Sequence, residues 1–174
     1  LLFPLLLNAL PNRKRMTIAL TVIALSLVPL SWNRLWVFAD NYRLWNDAAL
    51  LLPNEHTSGA ARIYYNRGNA ELAARRWHEA IADYQRVKAI NPNIEQVYSL
   101  TGSAYFGLGQ YQEAIREFDQ AIVLKPDYAD AYYGKGMTLK RLHSDEEALK
   151  HIKKSCELGN STACIIIAYY NRPK

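Results

Sequence analysis

The hydrophobic and polar positions of this chain repeat with a period of 34 residues between residues 61 and 162. Each period carries two apolar helical patterns, one marked by a glycine and one by an alanine, and ends at a proline or its substitute. Positions one period apart form a column. The agreeing columns are Tyr64, Tyr98 and Tyr132; Gly68, Gly102 and Gly136; Trp77 and Tyr111; Ala80, Ala114 and Ala148; Tyr84, Phe118 and Ile152; and Pro92, Pro126 and Asn160. These columns predict tandem pairs of helices.

The residue types in the columns have physical reasons. Glycine and alanine let two helices approach closely, and proline ends a helix because it lacks an N–H donor and clashes with the preceding turn. In the third period Gly159 and Asn160 replace proline, and both tolerate the left-handed backbone that ends a helix. The predicted helices are Ala61–Ala74, Trp77–Ile90, Glu95–Leu108, Tyr111–Leu124, Ala129–Leu142 and Asp145–Leu158, followed by an apolar helix, Ser161–Tyr170.

The pattern resembles the tetratricopeptide repeat (TPR), a helix-turn-helix of this length. The resemblance implies an all-α fold, a right-handed TPR superhelix with the three repeats 61–94, 95–128 and 129–162. A repeat cannot bury its apolar face alone, so the terminal repeats need caps. We therefore expect an N-terminal capping helix and loop within 39–60, where Trp45, Ala48 and Leu51 precede Pro53. A C-terminal capping helix and tail should occupy 163–174.

The N-terminal residues predict a membrane segment. Residues 1–15 have the composition of the end of a preceding apolar segment followed by a basic cytoplasmic loop. Residues 16–38 begin with an uncharged run and continue through Trp32 and Trp36, which suits a transmembrane helix with an aromatic belt. Because basic loops stay cytoplasmic, we expect a bacterial inner-membrane protein with its repeats in the periplasm. The alternatives are a signal peptide, although no small-residue cleavage site follows, and a helix buried in a soluble core.

Charge and motifs exclude several functions. The formal net charge is +5, with both signs interspersed and no basic stripe, so we expect no nucleic-acid partner. The sequence contains no glycine-rich phosphate loop and no metal-ligand cluster. The acidic residues Asp145, Glu146 and Glu147 have the positions of a helix N-terminus, where they favour the helix dipole, so we do not interpret them as a catalytic carboxylate pair. We therefore expect no enzyme, no metal and no cofactor in this segment.

The TPR resemblance implies that the first helix of each repeat lines a concave, partner-binding face. The candidate residues are Arg62, Tyr65, Asn69, Gln96, Ser99, Ser103, Tyr133, Lys140 and Arg141, with Leu72, Ala73, Phe106, Gly107, Asp130 and Met137 at the remaining positions. Rigid tyrosines beside polar groups suit an extended peptide or a partner helix. The alternative is that Tyr65 and Tyr133 only complete the packing of the repeats. Chaperone-binding relatives clamp a terminal carboxylate with Lys and Asn, but here Tyr65 and Ser103 occupy two of those positions.

The two cysteines lie on successive predicted helices near their turn, where a disulfide is feasible. Residues 153–164, which include both Cys156 and Cys164, resemble the helix-turn-helix of secreted cysteine-rich repeat proteins, in which this spacing is bridged. The resemblance implies a disulfide, which an extracytoplasmic location would permit. Two buried free thiols are the alternative.

Residues 30–170 resemble the C-terminal TPR region of bacterial polytopic membrane proteins, through segments such as Leu44–Asp47 and Tyr64–Asn69. The predicted function is a membrane-anchored, extracytoplasmic protein–protein interaction scaffold that docks a peptide or an envelope protein on its concave face. Two alternatives stay open. One is an accessory TPR domain of a membrane glycosyltransferase-like protein, and the other is a structural component that stacks in or on an envelope or pilus assembly. Homo-oligomerisation also stays open.

Overall fold

The computed structural model describes residues 41–54 and 57–170, in which all regular secondary structure is helical. The helices of these residues are α1 (Asn41–Leu50), α2 (Ala60–Ala73), α3 (Trp77–Ile90), α4 (Glu95–Gly107), α5 (Tyr111–Leu124), α6 (Ala129–Arg141), α7 (Asp145–Glu157) and α8 (Ser161–Tyr170). The bounds predicted for the seven helices from α2 to α8 agree with these to within one residue at each end. The prediction of tandem helix pairs is therefore confirmed.

Some predictions concern parts of the chain outside the described residues. The expected transmembrane helix at 16–38 and the segment 1–15 both lie there, as does the tail after Tyr170. Among residues 41–54 and 57–170, every helix is too short or too polar to cross a bilayer. The chain divides into two units, Leu1–Leu44 and Trp45–Lys174. Of the first, the structure describes only Asn41–Leu44 at the beginning of α1, and the second contains all the repeats.

The helices of the second unit stack in sequence order. The hairpins are α2 with α3, α4 with α5, and α6 with α7, and consecutive hairpins meet through α3 with α4 and α5 with α6. The first helices also contact one another, α2 with α4 and α4 with α6, and α8 packs on α7. The first helices therefore lie side by side along one face, as the TPR resemblance implies.

Each glycine of the glycine column packs against the bulky side chain of its own hairpin in the column Tyr84, Phe118 and Ile152. A Cβ atom built on each glycine would lie 2.8 Å from Tyr84 Cε1 at Gly68, 3.0 Å from Phe118 Cε1 at Gly102 and 2.7 Å from Ile152 Cγ1 at Gly136. The alanine column is buried in all three hairpins. Because such spacings leave no room for a methyl group, the small residues set the distance between the two helices of each repeat.

Two columns are joined by hydrogen bonds between consecutive repeats. The Tyr98 hydroxyl donates to the Pro92 carbonyl oxygen at 2.9 Å, and the Tyr132 hydroxyl donates to the Pro126 carbonyl oxygen at 3.2 Å. Each proline ends one repeat and each tyrosine belongs to the next. The tyrosine column therefore fixes the turn between repeats as well as filling space.

The turn inside each hairpin uses a left-handed residue at one shared position. The φ angles are +59° at Arg75, +75° at Gly109 and +60° at His143. These residues are 34 positions apart, yet only one of them is glycine. Non-glycine residues adopt this conformation at an energetic cost, so the tight turn is imposed by the packing of the two helices.

The first hairpin buries a group of charged side chains. Asp83, which is 1% exposed, accepts hydrogen bonds from Arg67 Nε at 2.6 Å and Arg86 Nη1 at 2.7 Å. The ring of Tyr64 lies beneath both guanidinium groups, with its centroid 5.7 Å from Arg67 Cζ and 5.2 Å from Arg86 Cζ. Glu71 is 4% exposed on the same hairpin. Breaking such a buried pair by removing one partner is strongly destabilising.

The predicted N-terminal cap packs against the first repeat, although in a shifted register. Ala49 and Leu52 contact the core that includes Tyr84, and Asn46 Oδ1 accepts a hydrogen bond from Arg67 Nη1 at 3.3 Å. Leu51, which the sequence suggested as a packing residue, is 82% exposed. The chain leaves the helix after Leu50, so the next inward-facing side chain is that of Leu52.

Candidate functional site

A cleft of about 500 Å³ lies between the first helices of the second and third repeats. Its lining residues are Ser99, Leu100, Ser103 and Phe106 of α4; Asp130, Tyr133, Gly134 and Met137 of α6; and Phe118, Tyr128 and Asn160. Residues three or four positions apart share one face of a helix, so α4 and α6 each turn a single face to the cleft. This volume falls within the range of ligand pockets in proteins.

The cleft depends on a glycine outside the repeated columns. A Cβ atom on Gly134 would lie 2.3 Å from Cε1 of Phe118. The Phe118 side chain is 2% exposed and belongs to the core of the second hairpin. Gly134 therefore lets α6 cross directly above this ring, which becomes the apolar floor of the cleft.

One edge of the cleft is polar and has a defined geometry. Asn160 Nδ2 donates to Asp130 Oδ1 at 2.8 Å, and Asn160 Oδ1 accepts from the Ala163 backbone N–H at 2.9 Å. A side chain that accepts from an N–H in the first turn caps a helix N-terminus. Asn160 thus caps α8 and orients the Asp130 carboxylate at the same time.

Tyr128 contributes a neutral hydroxyl to this edge. Burial, followed in importance by the Asp130 carboxylate, the Tyr65 phenol and Glu95, raises the pKa of Tyr128 to about 12, although a hydrogen bond with Ser99 opposes the shift. The hydroxyl therefore stays protonated at neutral pH. It can donate to a ligand or accept from one.

The structure brings together part of the predicted concave face. Six of the expected positions line the cleft: Ser99, Ser103, Phe106, Asp130, Tyr133 and Met137. Three of these carry hydroxyl groups, namely Ser99, Ser103 and Tyr133, and two are apolar, namely Phe106 and Met137. Whether they bind a partner stays a prediction, but their side chains do converge on one concave site.

Other predicted residues lie elsewhere. Lys140 Nζ donates to the Tyr170 hydroxyl of α8 at 2.8 Å and lies beside a different cavity. Arg141 Cζ lies 5.7 Å from the centroid of the Phe106 ring, at the opposite end of α6 from Asp130. Neither cation lines the cleft. Both side chains are long and can point in several directions, so the sequence alone does not predict which groups they contact.

The four candidates from the N-terminal part of the predicted face also lie outside the cleft. Asn69 Oδ1 accepts a hydrogen bond from the Tyr84 hydroxyl at 2.8 Å, which ties it to the core of the hairpin. Tyr65 is half-buried against that core. Arg62 and Gln96 are exposed. None of these four lines the cleft between α4 and α6.

A disulfide joins Cys156 of α7 to Cys164 of α8, with the Cα atoms 4.7 Å apart. It closes the turn that contains Asn160. The bridge therefore fixes α8 on α7 beside the polar edge of the cleft. The alternative of two free thiols is excluded for the described residues.

Sequence reasoning missed Leu100, Phe118, Tyr128, Gly134 and Asn160 as lining residues. Phe118 and Asn160 did occur in the repeated columns, where they looked purely structural. The replacement of proline by Asn160 was the available signal, since an asparagine side chain supplies a donor and an acceptor, whereas the proline side chains of the other repeats supply neither.

Stacked helical hairpins, with their first helices side by side around a cleft, define a helical-repeat protein. Residues 61–94 match the family model described as tetratricopeptide repeat, and residues 102–142 match the model described as TPR repeat. The chain therefore contains tetratricopeptide repeats in these two segments. No protein in the curated set of sequences matches it.

Solved TPR structures have the same fold. The Arabidopsis OM64 TPR domain superposes with a TM-score of 0.59 at 22% identity, covering 61% of this chain and 89% of that one. MamA gives a TM-score of 0.56 at 27% identity, and the match spans 63% of each chain. The first TPR domain of Spaghetti (RPAP3), bound to the HSP90 peptide SRMEEVD, gives 0.58 at 26% identity, covering 63% of this chain and 88% of that one.

Proposed function

We propose that this chain is a protein–protein interaction scaffold that binds an extended segment of a partner in the cleft between α4 and α6. The observation that carries the proposal is the convergence of apolar and hydroxyl side chains from two successive first helices on one concave site. A rigid groove lined by aromatic and polar groups suits a peptide, because little side-chain entropy is lost on binding. The peptide bound to the RPAP3 domain supports this class of partner.

We further propose that the scaffold is anchored in a bacterial inner membrane and that its repeats face the periplasm. Two observations support this location. The first is the apolar composition of residues 16–38. The second is the disulfide between Cys156 and Cys164, since disulfides persist mainly in oxidising compartments.

Site-specific photo-crosslinking tests the cleft. Benzoylphenylalanine is placed at Met137, inside the cleft, and in a matched variant at the exposed Gln120 on α5. We expect the first variant to give one dominant adduct that disappears when Tyr133→Ala is added. Equal adducts at both positions, or adducts that are insensitive to Tyr133→Ala, would contradict the proposed site.

The location needs a separate measurement. Alkaline phosphatase, which becomes active only where its own disulfides form, is fused after residue 174. We expect phosphatase activity from this fusion and none from a fusion within the basic segment at 13–15. Activity only at the second position would reverse the proposed orientation.

A further inference from the structure

The cleft contains a single charged side chain. Asp130 is the one Asp, Glu, Lys or Arg among its lining residues, and it is exposed to solvent. Its Oδ1 atom is held by Asn160, whereas Oδ2 makes no hydrogen bond within the described part of the chain. One oxygen of an oriented carboxylate is therefore open to a ligand.

The cations nearest to this edge are engaged with other groups. Lys125 Nζ is 3.8 Å from Glu95 Oε1 and lies 5.5 Å from the centroid of the Tyr128 ring. Arg141 is eleven residues further along α6 than Asp130, a separation of about 16 Å at the usual helical rise, and its guanidinium lies beside the Phe106 ring, 5.7 Å from its centroid, at the far end of the cleft from Asp130. The lining of the cleft therefore keeps its negative charge.

The rest of the lining is apolar or carries hydroxyl groups. Leu100, Phe106 and Met137 surround the floor made by Phe118. An unbranched methionine adapts to side chains of different shape. The cleft thus offers an apolar pocket beside one fixed negative charge.

We infer that the ligand of this cleft is a peptide segment that inserts a bulky apolar side chain and pairs an adjacent Lys or Arg with Asp130. The inference rests on the proposed function and adds the chemistry of the partner. It also separates this chain from its neighbour, the RPAP3 domain, whose bound peptide SRMEEVD has three acidic residues among its last four. An acidic segment would meet the Asp130 carboxylate without a lining cation to offset the repulsion.

Asp130 also has a structural role, which the test must distinguish from its role in ligand binding. An acidic residue in the first turn of a helix also favours the helix dipole. The substitution Asp130→Asn removes the charge and keeps an oxygen that can accept from Asn160 Nδ2. The exposed Asp127 just before α6 does not line the cleft, so Asp127→Asn is the matched control for net charge.

The test selects peptides with the full 174-residue chain, purified in a mild detergent, from a phage-displayed library of random sequences. We expect enrichment of Lys or Arg next to Leu, Met or Phe. The most enriched peptide and a version with its basic residues changed to Gln are then titrated by fluorescence anisotropy. Asp130→Asn should weaken binding of the basic peptide about three- to fivefold, which is the scale of an exposed ion pair. It should leave the affinity for the Gln version unchanged.

The outcomes separate the two proposals. Enrichment of acidic residues, absence of any charge preference, or equal effects of Asp130→Asn and Asp127→Asn would overturn the inference while peptide binding itself stands. If no sequence is enriched over the starting library, the proposed function fails together with the inference. Both proposals are supported if the Asp127→Asn variant still binds the basic peptide more tightly than its Gln version and the Asp130→Asn variant does not.

Discussion

Replacing the buried Glu71 by Gln should stabilise the protein at neutral and alkaline pH. Burial, and next the repulsion from Asp83, raises the pKa of Glu71 from an ordinary value of 4.5 to about 7, although Arg67 and Arg76 partly oppose the shift. Its Oε2 atom is buried and has no hydrogen-bond partner among the described residues. The folded state therefore carries an unfavourable negative charge whenever Glu71 is ionised.

The size and sign of the effect follow from proton linkage. Because the folded state binds this proton more tightly than the unfolded state, stability falls as the pH rises from about 4.5 to about 7 and then stays low. The shift corresponds to about 3 kcal/mol, since one pKa unit equals about 1.4 kcal/mol. Solvent screening of the Glu71 charge reduces this, so we expect Glu71→Gln to gain about 1 to 2 kcal/mol near pH 8.

Urea denaturation followed by circular dichroism measures the free energy of unfolding of both proteins. The gain from Glu71→Gln should be much smaller near pH 4.5, where Glu71 is protonated in the folded state and about half protonated in the unfolded state. Glu146→Gln removes the same charge from an exposed position in the first turn of α7, where an acidic residue favours the helix dipole, so near pH 8 it should lose about 0.3 to 1 kcal/mol and not gain stability. If Glu71→Gln gives no gain near pH 8, or an equal gain near pH 4.5, then Glu71 does not carry an unfavourable buried charge.

Three further substitutions test the cleft and the end of the array. Gly134→Ala should cost about 1 to 3 kcal/mol in urea denaturation, because the new Cβ overlaps the Phe118 ring; the gain expected from helix propensity alone would contradict this packing. Changing Cys156 and Cys164 together to Ser should speed hydrogen exchange in α8 and leave α2 to α5 unchanged, whereas uniform loss of protection would show that the bridge stabilises the whole array. Asn160→Ala should cost about 1 kcal/mol and Asn160→Ser much less, since Ser also caps a helix; equal losses would exclude the capping role.

The repeat architecture could be predicted because each column corresponds to one packing requirement. Gly68 must be small because the Tyr84 ring lies against it, and Pro92 both ends a helix and accepts from Tyr98. Such requirements recur in every repeat, so a single sequence displays them several times. Periodicity thus supplies the information that an alignment of homologues would otherwise give.

The local conformations and the charged core could not be predicted in the same way. Arg75 and His143 carry no sign of the left-handed turn that they adopt, because glycine occurs at that position only in the second repeat. Glu71 looks like any helical surface residue until the neighbouring helix covers it. Both features arise from contacts between helices, which override the local preferences of the residues.

The edge of the cleft shows how the end of a repeat array can acquire a specific role. In the first two repeats proline ends the second helix and offers only a carbonyl oxygen, which a tyrosine of the next repeat uses. In the third repeat Asn160 has side-chain groups that bond to Asp130 and to the first turn of α8, while the disulfide holds that turn closed. The residue that departs from the column is therefore the one that joins the cap to the cleft. Since both depend on Asn160, changes that loosen the cap should also release the Asp130 carboxylate from its fixed orientation.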